Sequence, residues 1–132
     1  MNTELENVIR DKYEAYYHYR QLYDHTRDKT LRKSILHIAE DEKAHYEMFQ
    51  QLYFLLTGDY VKNLKKPEPF SDNRQFLHHA LEKELDAADH YKMLVLKAQG
   101  SEHVTPFWIA MHDEMEHAIR LQTYLYEFDE RS

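Results

Sequence analysis

The chain of 132 residues is long enough to form one domain with a core of its own. It has no cysteine, which excludes disulfides, zinc–thiolate sites and thiol catalysis, and its first ten residues mix charged and apolar types, so we expect a cytoplasmic protein without a signal peptide. The net charge of -7 argues against nucleic acid as a partner, and no apolar run approaches the roughly 20 residues of a membrane span.

The apolar residues recur at helical spacing along the whole chain. Only 2 Gly and 3 Pro are present, which favours long helices over sheets. In chain order, the periodicity predicts four helices, over about 4–28, 31–57, 72–99 and 106–129.

Residues with capping chemistry flank each predicted helix. Side chains of Ser, Thr and Asp accept hydrogen bonds from the first N–H groups of a helix, and Gly adopts the left-handed conformation that ends one. For the first helix we therefore predict a capping box of Thr3 and Glu6, and for the second a start at Thr30 and an end at Gly58. For the third we predict a start at Ser71 or Asp72 and an end at Gly100, and for the fourth a start at Thr105-Pro106.

The segment 58–70 carries Gly, two Pro and a Lys pair, which indicates a linker. Its thirteen or so residues would reach ~43 Å when extended. The second helix is ~40 Å long. The linker is therefore long enough to return along the helix, and residues 1–132 are predicted to form a single all-α domain, a four-helix bundle of two hairpins with a long crossover.

The sequence Asp-Glu-x-x-His occurs twice, over 41–45 and 113–117. Residues three apart lie on one face of a helix, so Glu and His of each copy can point at one ion. The shift of 72 positions that places residue 42 on residue 114 also superposes Ala15, His18, Tyr19 and Leu22 on Ala87, His90, Tyr91 and Leu94. The chain therefore looks like two copies of one helical hairpin, each with an acid–histidine pair.

Each apolar stripe also has an ionisable residue at its centre. Several unpaired buried charges would be very costly, so a bound cation or mutual pairing is required. Glu14 faces solvent and is not a candidate. The central residues are Lys12, Glu42, Glu84 and Glu114, joined by His45 and His117. The remaining histidines are predicted at the surface, including His25, His37, His78, His79, His103 and His112, and the tyrosines are predicted to pack in the core.

These motifs resemble the ferritin-like superfamily, and most closely the small rubrerythrin-like di-iron-carboxylate proteins of bacteria. The pattern is one Glu from each of two helices and Glu-x-x-His from each of the other two. The resemblance implies iron or manganese, one or two ions per chain, held by Glu42, His45, Glu84, Glu114 and His117. It also implies that Asp41 and Asp113 orient the ligand imidazoles and that Tyr19 and Tyr91 lie beside the metal.

Lys12 departs from this pattern, which has a Glu seven residues before Tyr19. Loss of that carboxylate is expected to weaken the metal position of the first hairpin and to leave that of the second. Our hypothesis is that Lys12 replaces the missing ion, paired with Glu42 or Glu114. Direct ligation by a neutral lysine is the lesser alternative.

Two functions remain open at this point. The first is a metal-binding protein acting on Fe(II), peroxide or O2, which would be an oxidoreductase of the di-iron type. The second is a metal-free, degenerate scaffold that serves in dimerisation or partner binding. The sequence leaves open whether the protein is an enzyme. Aromatic residues such as Trp108 would supply an apolar patch for a homodimer.

Overall fold

In the computed structural model, which describes residues 2–131, the chain forms four helices. They are α1 (Asn2–His25), α2 (Lys29–Thr57), α3 (Asn73–Lys97) and α4 (Val104–Arg131). The chain divides into two compact units, Met1–Pro69 and Phe70–Ser132, and each contains one helical hairpin. Every predicted helix is present, and its ends lie within three residues of the predicted ones.

In the first unit, α1 packs along α2 through apolar residues three and four apart. Burial of one Leu, Ile or Phe side chain contributes ~1.5–3 kcal/mol, so this stripe is the main source of stability in the hairpin. Leu56, four residues after Leu52, is exposed in the last turn of α2. The buried stripe contains Leu5, Val8, Ile9, Tyr19 and Leu22 of α1, and Ile35, Ile38, Ala39, Phe49 and Leu52 of α2.

The turn between α1 and α2 is short, and Asp28 organises its second half. The backbone of Asp28 is extended, and its carboxylate accepts a hydrogen bond of 3.0 Å from the N–H of Leu31. The predicted cap at Thr30 is therefore wrong, because Asp28 is the N-cap residue and Thr30 lies in the first turn of the helix. The end of α2 is confirmed at Gly58, whose φ of 79° is left-handed.

The linker after Gly58 is attached to its own hairpin at both ends. The side chain of the buried Gln50 makes two hydrogen bonds of 2.9 Å to the backbone N–H and C=O of Val61. Further on, His18 lies 3.0 Å from the carbonyl of Glu68. The linker therefore starts beside the last turns of α2 and ends beside the middle of α1.

In the second unit, α3 packs along α4. The carboxylate of Asp72 accepts a 2.9 Å hydrogen bond from the N–H of Gln75, which confirms one of the two predicted starts of α3. The helix ends at Lys97, before Gly100, whose φ of 82° turns the chain. Pro106 lies in the first turn of α4, where a missing N–H costs nothing. The buried face contains Leu77, Ala80, Leu94, Phe107, Ala110 and Leu121.

The outer faces of both hairpins carry the residues predicted to meet solvent. Glu14 is exposed, as are Lys62, Lys65 and Lys66 of the linker. The surface histidines are confirmed at His25, His37, His78, His79 and His112, while His103 is half-buried. Within residues 2–131, none of the helices combines the length and the apolar character that crossing a bilayer requires.

Candidate metal centre

The ionisable residues predicted within the apolar stripes are all buried. They fall into pairs related by the 72-residue repeat, and each has 5% or less of its surface exposed. Charges buried this deeply require compensation, which the two units provide differently. The pairs are Lys12 and Glu84, Tyr19 and Tyr91, Glu42 and Glu114, and His45 and His117.

In the second unit, α3 and α4 bring together three side chains that can bind a metal ion. Glu114 and His117 are three residues apart on α4 and so share a face, and Glu84 approaches from α3. The Nδ1 atom of His117 lies 3.5 Å from Glu84 Oε2 and 3.7 Å from Glu114 Oε1. One ligand atom from each residue lies within 4.8 Å of the others.

The shorter of these separations suits two atoms bound to a common ion, and the longer slightly exceeds that range. Atoms ~2.1 Å from one cation lie roughly 3.0–3.5 Å apart in octahedral and tetrahedral geometries. A protonated imidazole hydrogen-bonded to a carboxylate would instead lie at about 2.7–2.9 Å. Binding of one ion by all three residues would require the longer separations to shorten. The donor set of two carboxylates and one imidazole fits Fe(II), Mn(II) or Zn(II).

In the first unit, the same positions hold an ion pair. The Nζ atom of Lys12 lies 2.9 Å from Glu42 Oε2, and both side chains are buried. The partner Glu42 is one of the two predicted. His45, one turn beyond Glu42 on α2, is buried as well. The first hairpin thus contains an ion pair where the second contains two carboxylates.

The comparison with protein families agrees with this description. A family model described as Rubrerythrin matches residues 2–53. Over this segment the chain is similar to rubrerythrins. The match covers α1 and most of α2, and so includes Lys12, Glu42 and His45.

The fold of this rubrerythrin-like chain is also similar to the solved structure of a hypothetical protein from Pyrococcus furiosus. The two are 21% identical, the match covers 92% of this chain and 85% of that one, and the TM-score is 0.80. The likeness confirms the predicted all-α four-helix bundle. No curated protein matches the sequence.

The residues predicted to orient the ligand imidazoles are half-buried in the rubrerythrin-like fold. Asp41 Oδ2 lies 3.2 Å from Nε2 of His37, one turn earlier on α2. Asp113 directly precedes Glu114 on α4. Their action on the ligand histidines stays a prediction, as do the metal-binding roles of the five predicted ligands and the places of Tyr19 and Tyr91 beside a metal.

Several tyrosines of the first unit pack against one another. The rings of Tyr13 and Tyr17 meet edge to face at 5.1 Å, and the ring of Tyr46 lies 5.7 Å from that of Tyr13. A hydrogen bond with Tyr17 raises the pKa of Tyr13 above its ordinary value, with a smaller contribution from burial. This hydroxyl therefore keeps its proton at neutral pH, and the contacts agree with the predicted packing role.

Sequence reasoning missed Gln50, which holds the start of the linker. Its two bonds to Val61 satisfy a side-chain amide that is 8% exposed. The available signal was its place directly after Phe49, at the edge of the apolar stripe of α2, where a polar residue requires a partner.

Proposed function

We propose that this rubrerythrin-like chain binds a divalent metal ion, Fe(II) or Mn(II), through Glu84, Glu114 and His117. The observation that carries the proposal is their buried cluster, in which one imidazole nitrogen faces two carboxylates at 3.5 and 3.7 Å. With a neutral imidazole the cluster has a formal charge of -2, one for each carboxylate, which a divalent ion would neutralise. The sequence-based prediction adds Glu42 and His45 as further ligands.

The proposed activity is redox chemistry with Fe(II), peroxide or O2. A bound Fe(II) would supply one electron for such a reaction. The chain's own contribution is to hold the ligand atoms in place and to keep bulk water away, because all three residues are at most 4% exposed. Asp113 is proposed to fix the orientation of an imidazole. The cytoplasmic location stays a prediction.

A second candidate function is a metal-free scaffold that dimerises or binds a partner. The observation that favours it is the ion pair of Lys12 and Glu42, in which a buried carboxylate faces an ammonium rather than a metal ion. The two candidates differ in one measurable property, the metal content of the purified chain.

Metal analysis after anaerobic loading tests the proposal directly. The protein is incubated with Fe(II) or Mn(II), desalted, and measured by mass spectrometry for metal per chain. We expect wild type to retain metal, and Glu114→Gln and His117→Ala to lose affinity by on the order of tenfold or more, since each loses a ligand.

Two exposed residues provide matched controls. Glu82→Gln changes an exposed carboxylate of α3, two residues before Glu84, and His112→Ala removes an imidazole of α4 that contacts Trp108. Both variants should keep the metal content of wild type. Equal losses in the control and ligand variants, or no retained metal in wild type, would refute metal binding at this cluster and favour the scaffold.

A further inference from the structure

We infer that the ammonium of Lys12 takes the place of one metal ion, so that each chain holds a single divalent ion, bound in the second unit. This inference rests on the proposed function and specifies its stoichiometry. It assigns Lys12 a role in deciding how many ions bind.

The first step is the position of Lys12. It is the repeat counterpart of Glu84, and it is buried to the same extent, with 5% of its surface exposed against 4%. Its Nζ atom lies 2.9 Å from Oε2 of Glu42, the counterpart of Glu114. In the first unit, the ammonium of Lys12 therefore contacts Glu42. In the second unit, the counterpart of Glu42 is Glu114, which is proposed to bind metal.

The second step is the balance of charge within each unit. With neutral imidazoles, the second unit gathers two carboxylates and has a formal charge of -2. The first unit gathers one ammonium and one carboxylate, which sum to zero. A divalent cation is therefore attracted to the two carboxylates of the second unit. In the first unit it would meet an ammonium, and like charges repel strongly at such short range.

The third step concerns the alternative in which a neutral Lys12 binds the metal through its amine. The 2.9 Å contact with Glu42 has the length of an ammonium–carboxylate bond. A lysine in its ammonium form has no lone pair to offer a metal ion. The contact therefore favours replacement of the ion over direct ligation.

Exchange of Lys12 for a carboxylate is the first test. Wild type should bind about one Mn(II) per chain and Lys12→Glu about two, by native mass spectrometry after anaerobic loading. Lys12→Gln, which removes the ammonium without supplying a ligand, should stay at about one. Circular dichroism establishes that each variant is helical.

A second test moves the lysine to the other unit and does not depend on Lys12→Glu alone. In Glu84→Lys both units carry lysine, so binding should fall to about zero. In the double variant Lys12→Glu/Glu84→Lys, binding should return to about one ion. That ion should be abolished by His45→Ala rather than by His117→Ala, the reverse of the wild-type pattern.

The outcomes separate the inference from the proposed function. No metal in wild type would overturn both. Two ions in wild type, or one ion in a helical Lys12→Glu, would overturn the inference and leave metal binding intact. If Lys12→Glu does not fold, retention of metal by a helical Glu84→Lys overturns the inference, and its loss supports it.

Discussion

Lys12 and Glu84 occupy equivalent places in two hairpins but require opposite surroundings. The ammonium is matched by Glu42 at 2.9 Å. The carboxylate lies near a second carboxylate, Glu114, and two like charges buried together require a cation. We therefore expect one reversal of charge to decide whether a side chain or a metal ion compensates the buried carboxylates of a hairpin.

At the residue scale, we predict that the buried ion pair is a strong determinant of stability. In metal-free protein, Lys12→Met should lower the free energy of unfolding by about 3 kcal/mol, because it leaves the buried charge of Glu42 without its ammonium. The double variant Lys12→Met/Glu42→Gln should recover a large part of this loss. Urea denaturation followed by circular dichroism measures both.

The exposed pair of Lys62 and Asp59 provides the control. Its atoms are 3.1 Å apart, yet both side chains are at least 60% exposed. Lys62→Met should therefore change the stability by less than about 1 kcal/mol. Equal losses in Lys12→Met and Lys62→Met would contradict the strong contribution of the buried pair.

The sequence predicts the depth of Lys12 but not its partner. Depth follows from helical periodicity, since Lys12 lies in the stripe of Leu5, Ile9 and Tyr19. The partner depends on the path of a side chain with four rotatable bonds, so periodicity left both Glu42 and Glu114 open. The structure supplies the contact with Glu42.

At the scale of the helices, only some ends are formed by the predicted residue. Thr3, predicted to cap α1, already lies within that helix. Gly58 and Asp72 each act as predicted, because the capping chemistry is local. The start of α2 was wrong because Asp28 and Thr30 are both capping residues, two positions apart. The anchoring of the linker by Gln50 was not predictable, because the Val61 backbone it binds has no side-chain signature.

We predict that Asp28, and not Thr30, carries the capping energy of α2. Asp28→Ala should lower the free energy of unfolding by about 1 kcal/mol, because it removes the 3.0 Å bond to Leu31. Thr30→Ala should have little effect, because the exposed Thr30 already lies within the helix. Thermal and urea unfolding measure both variants, and a larger loss in Thr30→Ala would contradict the assignment.

At the scale of the whole molecule, the distribution of charge links stability to metal. The chain has 24 acidic and 17 basic residues. Most of them meet water, but Glu84 and Glu114 are buried within one unit, near a single imidazole. An ion that binds there binds the folded chain only, because the three ligands come from two helices that separate on unfolding. Folding and metal binding are therefore expected to be coupled.

The final prediction is that metal raises the unfolding temperature through this cluster. At a free Mn(II) concentration 100 times the dissociation constant, a single site adds ~2.7 kcal/mol, which for a chain of this size corresponds to a shift of roughly 10 °C. Calorimetry with Mn(II) and then with EDTA should show the shift and its reversal in wild type. Glu114→Gln should show little shift, while Glu82→Gln, which changes an exposed carboxylate of α3, should behave as wild type. A shift that persists in Glu114→Gln would mean that the metal acts elsewhere on this acidic chain.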